Sequence, residues 1–183
     1  MKTYIAILRG INVSGKNMIK MDALRTALTN HGFGAVLTYI QSGNLVFSAN
    51  KKSVKALEAE IQEVILKNFA LEIPVFVIDA EHLKKIMDGH PFRTRTADNK
   101  LLHITFLAET PQPALVEKLN GIAYPPDEFS ILEDVVYLYC PGGYGNTKFS
   151  NAFFESKLKT SATTRNVNTV MELLLMAKNL ADA

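Results

Sequence analysis

Four stretches of this chain, residues 9–20, 38–52, 140–154 and 157–171, are rich in amide, hydroxyl and cationic side chains and contain no carboxylate. Together they cover 57 residues with nine Lys or Arg, where the chain-wide 18 acids in 183 residues would place about five or six Asp or Glu. Side chains of this kind donate hydrogen bonds but supply neither a carboxylate base nor a hard-metal ligand. Such surfaces suit phosphates and carboxylates. The candidate ligand contacts are the cations Arg9, Lys16, Lys148 and Arg165 and the polar side chains Asn12, Asn17, Gln41, Ser42, Asn44, Asn151 and Asn166.

Three loops frame these residues. The run G-I-N-V-S-G-K-N at 10–17 nearly spells a phosphate-cradling G-x-x-x-x-G-K-[ST] loop, whose glycines turn backbone N–H groups toward a phosphate while the hydroxyl meets magnesium. Asn17 replaces that hydroxyl, no later apolar strand is read as ending in a magnesium-binding Asp, and the element order lacks a parallel sheet. Nucleotide hydrolysis is therefore not supported. Simple anion contact and a turn capped by Asn side chains both remain open. The glycine-rich run 142–148 leads toward a helix start, where unpaired N–H groups attract anions, or else turns a corner after a strand. Arg165, in T-T-R-N at 163–166, could clamp an oxyanion bidentately or brace the two halves.

Other chemistry finds little support. His31, His82, His90 and His103 show no i,i+4 or H-x-H spacing, so no metal or cofactor is expected. Cys140, the single cysteine, has no histidine nearby in sequence and reads as a buried structural thiol. Ser42 lies in Q-S-G-N, not in a G-x-S-x-G elbow. Tyr4 and Phe47 occupy strand positions that carry base-stacking rings in RNA-recognition sheets, but the accompanying aromatic run is missing.

The elements that must hold these loops follow from periodicity. Strand patterns cover 3–9, 36–40, 45–48 and 73–78, with helices at Met21–His31 and 53–69, giving βαββαβ, the ferredoxin-like order. The first strand is apolar on both faces and reads as central, whereas Pro74 marks an edge or a strand start. A short helix Ala80–Asp88 follows, capped by Asp79, and the polar stretch 91–100 reads as a linker. The second half repeats the order: strand 101–107, helix 112–120, a hairpin 129–132 and 135–139, helix 148–158, a short strand 162–165, and a last helix 167–180 with Thr169 and Glu172 at capping-box spacing. The fold class is thus α+β, two ferredoxin-like subdomains with antiparallel sheets: residues 1–79, a connecting helix and linker at 80–100, and 101–183 with the terminal helix.

Composition bounds the rest. Hydrophobic residues at 48% support a packed core, and a net charge of +2 is too balanced to require a nucleic-acid partner. One cysteine lends no support to an oxidising compartment. The apolar run 4–8 is cut off by Arg9, too short for a secretion signal, and no stretch approaches the roughly 20 apolar residues of a membrane span. A cytoplasmic protein with no membrane partner is expected; oligomeric state is not encoded in any pattern here.

Several of these runs, I-L-R-G-I-N-V-S-G-K-N at 7–17, M-D-A-L-R at 21–25, T-Y-I-Q-S-G-N at 38–44, N-A-F-F-E at 151–155 and T-T-R-N at 163–166, resemble the bacterial Domain of Unknown Function 1697 family over essentially the whole chain. The resemblance implies two ferredoxin-like subdomains packed together and no established activity. The family usually carries Trp after T-T-R-N, where Val167 stands here. Three functional readings follow. The first is a binding module for a phosphorylated small molecule or nucleic-acid backbone. The second is an enzyme on a small anionic substrate with Tyr144 or Glu155 as acid or base. In the third, the polar motifs serve structure alone.

Overall fold

The computed structural model describes residues 1–50 and 52–182. The chain divides into two compact units, one of residues 1–85 with 172–183 and one of residues 86–171. The order of elements runs β1 (Lys2–Leu8), α1 (Met21–His31), β2 (Gly34–Tyr39), β3 (Asn44–Ala49), α2 (Val54–Phe69), β4 (Val75–Asp79), α3 (Ala80–Asp88), β5 (Leu102–Leu107), α4 (Pro113–Glu117), β6 (Glu128–Leu132), β7 (Val135–Tyr139), α5 (Asn151–Leu158), β8 (Ala162–Asn166) and α6 (Val167–Ala181). The two sheets read β2-β3-β1-β4 and β6-β7-β5-β8, antiparallel throughout. Each is the ferredoxin-like order, so the α+β expectation holds in both halves.

In the first unit, Tyr4, Ala6 and Leu8 of β1 alternate toward the same core as Leu45 and Phe47 of β3 and Leu24, Leu28, Leu57 and Ile61 of α1 and α2. Their neighbours Ile5, Ile7 and Val46 are equally excluded from water, as a central strand apolar on both faces requires. Tyr4 and Phe47 pair across β1 and β3 and are almost fully buried, so neither offers a platform for a nucleobase. Helix α1 ends at Gly32 (φ 111°), whose N–H returns to the last turn, and Phe33 folds back to meet Phe47 edge-on at 5.1 Å. Ser53 caps α2 by accepting from Ala56 N at 3.2 Å. β4 begins directly after Pro74 and lies at the sheet edge.

β4 is an apolar strand that ends in an acid, Asp79, but not where a magnesium partner of the loop at 10–17 would have to stand. Asp79 pairs with Tyr4, while the loop at 10–17 leaves the far end of β1, where Leu8 pairs with Val75. Four residues of strand, roughly 13 Å, separate the acid from that loop. Asp79 is engaged by Lys2 and accepts from Glu81 N, capping α3.

The second unit packs a more aromatic core. Phe149 and Phe154 are buried beside Phe129, Phe153 and Tyr124, with Phe129 and Phe149 centroids 4.8 Å apart. Several element boundaries differ from those read in the sequence. α4 stops at Glu117, three residues short. α5 starts at Asn151, not at Lys148, because Ser150 accepts from Phe153 N at 3.2 Å and Thr147 Oγ1 accepts from Phe149 N at 3.1 Å, so residues 147–150 form the approach to the helix. Thr169 and Glu172 form no capping box: α6 begins at Val167 straight out of β8, and Asn166 Oδ1 accepts from Asn168 N at 2.9 Å in its place. The stretch 91–100 holds two 3₁₀ turns, Pro91–Thr94 and Asn99–Leu101, capped by His90 and Asp98, with Phe92 buried. Val167 is fully buried.

Candidate functional site

In the first unit the loop 10–17 and the turn 40–43 meet at one end of the sheet, because β1 ends where β3 begins. Asn12 is the fastener. Its Oδ1 accepts from Ile19 N at 2.8 Å, and its Nδ2 donates to Ile19 O at 2.9 Å and to Gln41 O at 2.8 Å. Asn17 Nδ2 donates to Gly10 O at 2.9 Å, closing the loop on itself. Asn44, fully buried, donates to Tyr39 O at 3.2 Å and Ser42 Oγ at 3.0 Å. These amides are committed to backbone and turn, which is what a shape-holding role demands. Lys16 and Gln41 keep exposed side chains, and Arg9 is half-buried with its backbone N–H on Pro74 O.

Gly43 takes a positive φ of 81° and Ile40 one of 47°, while Asn44 already lies in β3. Glycine at 43 is obligatory, since a Cβ there would sit 2.8 Å from Leu8 Cβ.

Beside the turn lies an open hollow of about 410 Å³ lined by Lys20, Met21, Asp22, Ala23, Thr38, Ile40 and Gln41. Residues 20–23 are the start of α1, whose N-cap residue Lys20 makes no side-chain capping bond. An uncapped first turn turns its N–H groups and the positive end of the helix dipole outward. Asp22 opposes this charge, but it is highly exposed and its carboxylate is paired with Arg25 at 3.1 Å.

In the second unit the polar residues gather around Thr164. Its hydroxyl lies 2.6 Å from Asn151 Oδ1, 2.7 Å from Thr105 Oγ1 and 3.0 Å from the Tyr144 hydroxyl. A hydroxyl has one proton and two lone pairs, so Thr164 donates to Asn151 and accepts from Thr105 and Tyr144. Burial pushes the Tyr144 phenol above its ordinary range, and Cys140, fully buried, up to about 11. Arg165 lies on the opposite face of β8 from Thr164, with Nη1 donating to Thr164 O at 2.9 Å and Thr163 Oγ1 at 3.2 Å. Desolvation pulls its guanidinium down to about 10, so it remains charged at neutral pH. Lys148 Nζ stands 4.9 Å over the Tyr124 ring. Asn166 Nδ2 faces the carbonyls of Asn99, Lys100 and Leu102, which makes it a structural tie. Glu155 accepts from Ala162 N at 2.9 Å, holding the start of β8.

The four polar stretches therefore meet in pairs, 9–20 with 38–52 in one unit and 140–154 with 157–171 in the other. The sequence did not single out Lys20 or Thr105, and it offered His103 only as a metal ligand to be set aside. The last two left a signal: they are polar residues alternating on β5, on a face otherwise apolar. Among the described residues no cluster of three or more His, Cys, Asp or Glu could hold a metal ion, and no helix is long and apolar enough to cross a membrane.

Two repeats of one ferredoxin-like order, each with a hydrogen-bonded polar cluster, define a duplicated α+β protein. A family model described as protein of unknown function (DUF1697) matches residues 1–137, and the chain belongs to that family. The matched span ends before the 151–155 and 163–166 motifs. A solved structure, conserved bacterial protein SP0830 from Streptococcus pneumoniae, is similar over 96% of this chain and 98% of its own, with a TM-score of 0.69 at 21% sequence identity. Likeness at that identity speaks for the fold. No protein with a curated description matches the chain.

Proposed function

We propose that the protein is a binding module for a phosphate-bearing ligand, held at the start of α1. The observation that carries this reading is the uncapped first turn of α1 opening on a hollow lined by Lys20, Thr38 and Gln41. N–H groups, a cation and two neutral polar side chains converge on this hollow, and the one acid in its lining, Asp22, is paired with Arg25, so it suits an oxyanion better than a neutral ligand. Lys16, exposed on the loop that Asn12 ties to Gln41 O, adds charge at this end of the sheet. Asn12, Asn17, Ser42 and Asn44 hold the loops in shape and do not themselves reach the ligand. In the second unit Lys148 stands over the Tyr124 ring and Arg165 braces β8 from the face opposite Thr164, so this reading assigns neither to the ligand, and Asn151 and Asn166 serve as scaffold.

Calorimetric titration with pyrophosphate, a nucleoside monophosphate and a short oligonucleotide, from low to physiological salt, tests it. Binding that weakens with salt is expected, with Lys20→Gln costing roughly three- to fivefold in affinity and Asp22→Asn gaining a similar factor. An oligonucleotide with the steepest salt slope would assign the ligand to nucleic acid. No binding of any of the three at low salt removes the proposal.

A further inference from the structure

Two buried histidines of the second unit form a chain of hydrogen bonds that only neutral imidazoles can make. His90 Nδ1 accepts from Phe92 N at 3.3 Å, which leaves Nε2 to donate to His103 O at 3.2 Å. His103 Nε2 lies 3.2 Å from Asn166 Nδ2. That amide is oriented by its neighbours: Nδ2 faces three carbonyls while Oδ1 accepts from Asn168 N, so the group against His103 is an N–H donor. His103 Nε2 must accept and Nδ1 must carry the proton. His103 is 6% exposed, and its Nδ1 is the buried side-chain polar atom with no hydrogen-bond partner among the described residues.

We propose that this pair is an acid-sensitive clasp: protonation of His103 and His90 releases residues 90–102 from Asn166 and from the first turn of the 3₁₀ segment. A proton on His103 Nε2 would face the Asn166 amide donor to donor, and a proton on His90 Nδ1 would face the Phe92 N–H in the same way. The groups around His103 offer no compensating anion. The stacked ring of Tyr144 at 4.9 Å is neutral, Asn166 on β8 is an amide, His90 carries like charge when protonated, and the Leu101 carbonyl favours the charged ring by less than burial disfavours it. Arg93 adds positive charge beside His90. The Tyr144 ring face attracts an imidazolium, but burial outweighs it: desolvation brings His103 down to about 4 and lowers His90 as well.

The direction follows from these lowered values. The clasp contributes fully above the ordinary histidine pKa near 6.5 and weakens as pH falls from there toward 4. In the intact protein, imidazole nitrogen NMR should show His103 as the Nδ1–H tautomer at pH 7. Amide protection factors at Leu102, His103 and Asn166, corrected for intrinsic exchange, should fall by up to tenfold per pH unit below 6. His103→Phe keeps the stack on Tyr144 and should remove this fall at Leu102 and Asn166 while leaving it at Phe92, which answers to His90. An Nε2–H tautomer in the unmodified protein, or protection independent of pH between 6 and 4.5, overturns the proposal without recourse to any variant. So does an unchanged acid response in His103→Phe.

Discussion

Tyr144 and Thr164, twenty residues apart in the chain, share a hydrogen bond of 3.0 Å that joins the glycine-rich loop to β8. Thr164 is saturated at that point, donating to Asn151 and accepting twice. Thr164→Val removes the hub and strands the Thr105 hydroxyl, which is fully buried, together with Asn151 Oδ1. A loss of roughly 3 kcal/mol is expected in urea unfolding. Tyr144→Phe alone should cost about 1 kcal/mol and add less to Thr164→Val, where only the Asn151 backbone contact of its hydroxyl is left to lose.

Gly43→Ala should be among the most damaging small substitutions. The new methyl meets Leu8 Cβ at 2.8 Å and Ile11 Cδ1 at 2.9 Å, and φ of +81° strains any L side chain. About 3 kcal/mol is expected from strain and overpacking together. Gly32→Ala also sits at positive φ, with nothing within 4 Å of the new atom, and should cost only about 1 kcal/mol. Thermal unfolding of the pair separates conformational strain from crowding.

Ile40 is β-branched, holds φ of 47° and is 51% exposed, so its side chain draws little from packing and its backbone is strained. Ile40→Asn should stabilise the protein by about 0.5–1 kcal/mol, read as a rise of roughly 2 °C in Tm. An unchanged or lowered Tm would mean that Ile40 makes a contact worth more than its strain.

Cys140 should be chemically inert in the folded protein. Raising its pKa from 9.0 to about 11 by burial cuts the thiolate fraction at pH 8 by roughly a hundredfold. A disulfide reagent at that pH should label the unfolded chain at least a hundred times faster than the native one, and comparable rates would contradict the buried placement.

The repeated βαββαβ order was legible because each element carries its own signal. The stripe Met21, Leu24 and Leu28 returns at helical spacing, Gly32 stops that helix, and β1 is apolar on both faces. The boundaries that moved did so for reasons outside periodicity. Ser150 and Asn166 took over as caps because the hydrogen bonds they make beat the residues whose spacing looked better. Of the candidate residues, the cations could be read as charges, but whether an Asn faces water or spends its amide on a carbonyl depends on a partner remote in sequence. Asn12 with Gln41 O, 29 residues away, is the plainest example.

The amino-acid sequence by itself determined the fold class, the first strand apolar on both faces, and the scarcity of acids along the polar loops, because each rests on local residue type and spacing. Only the tertiary structure decided which polar groups remain open and which are consumed. It exposed the uncapped turn at Lys20, gave Thr164 three partners, and set the His103 imidazole against the Asn166 amide. Hydrogen-bond satisfaction is a property of neighbours in space, and the strand pairing that brings His103 opposite Asn166 joins residues 63 positions apart.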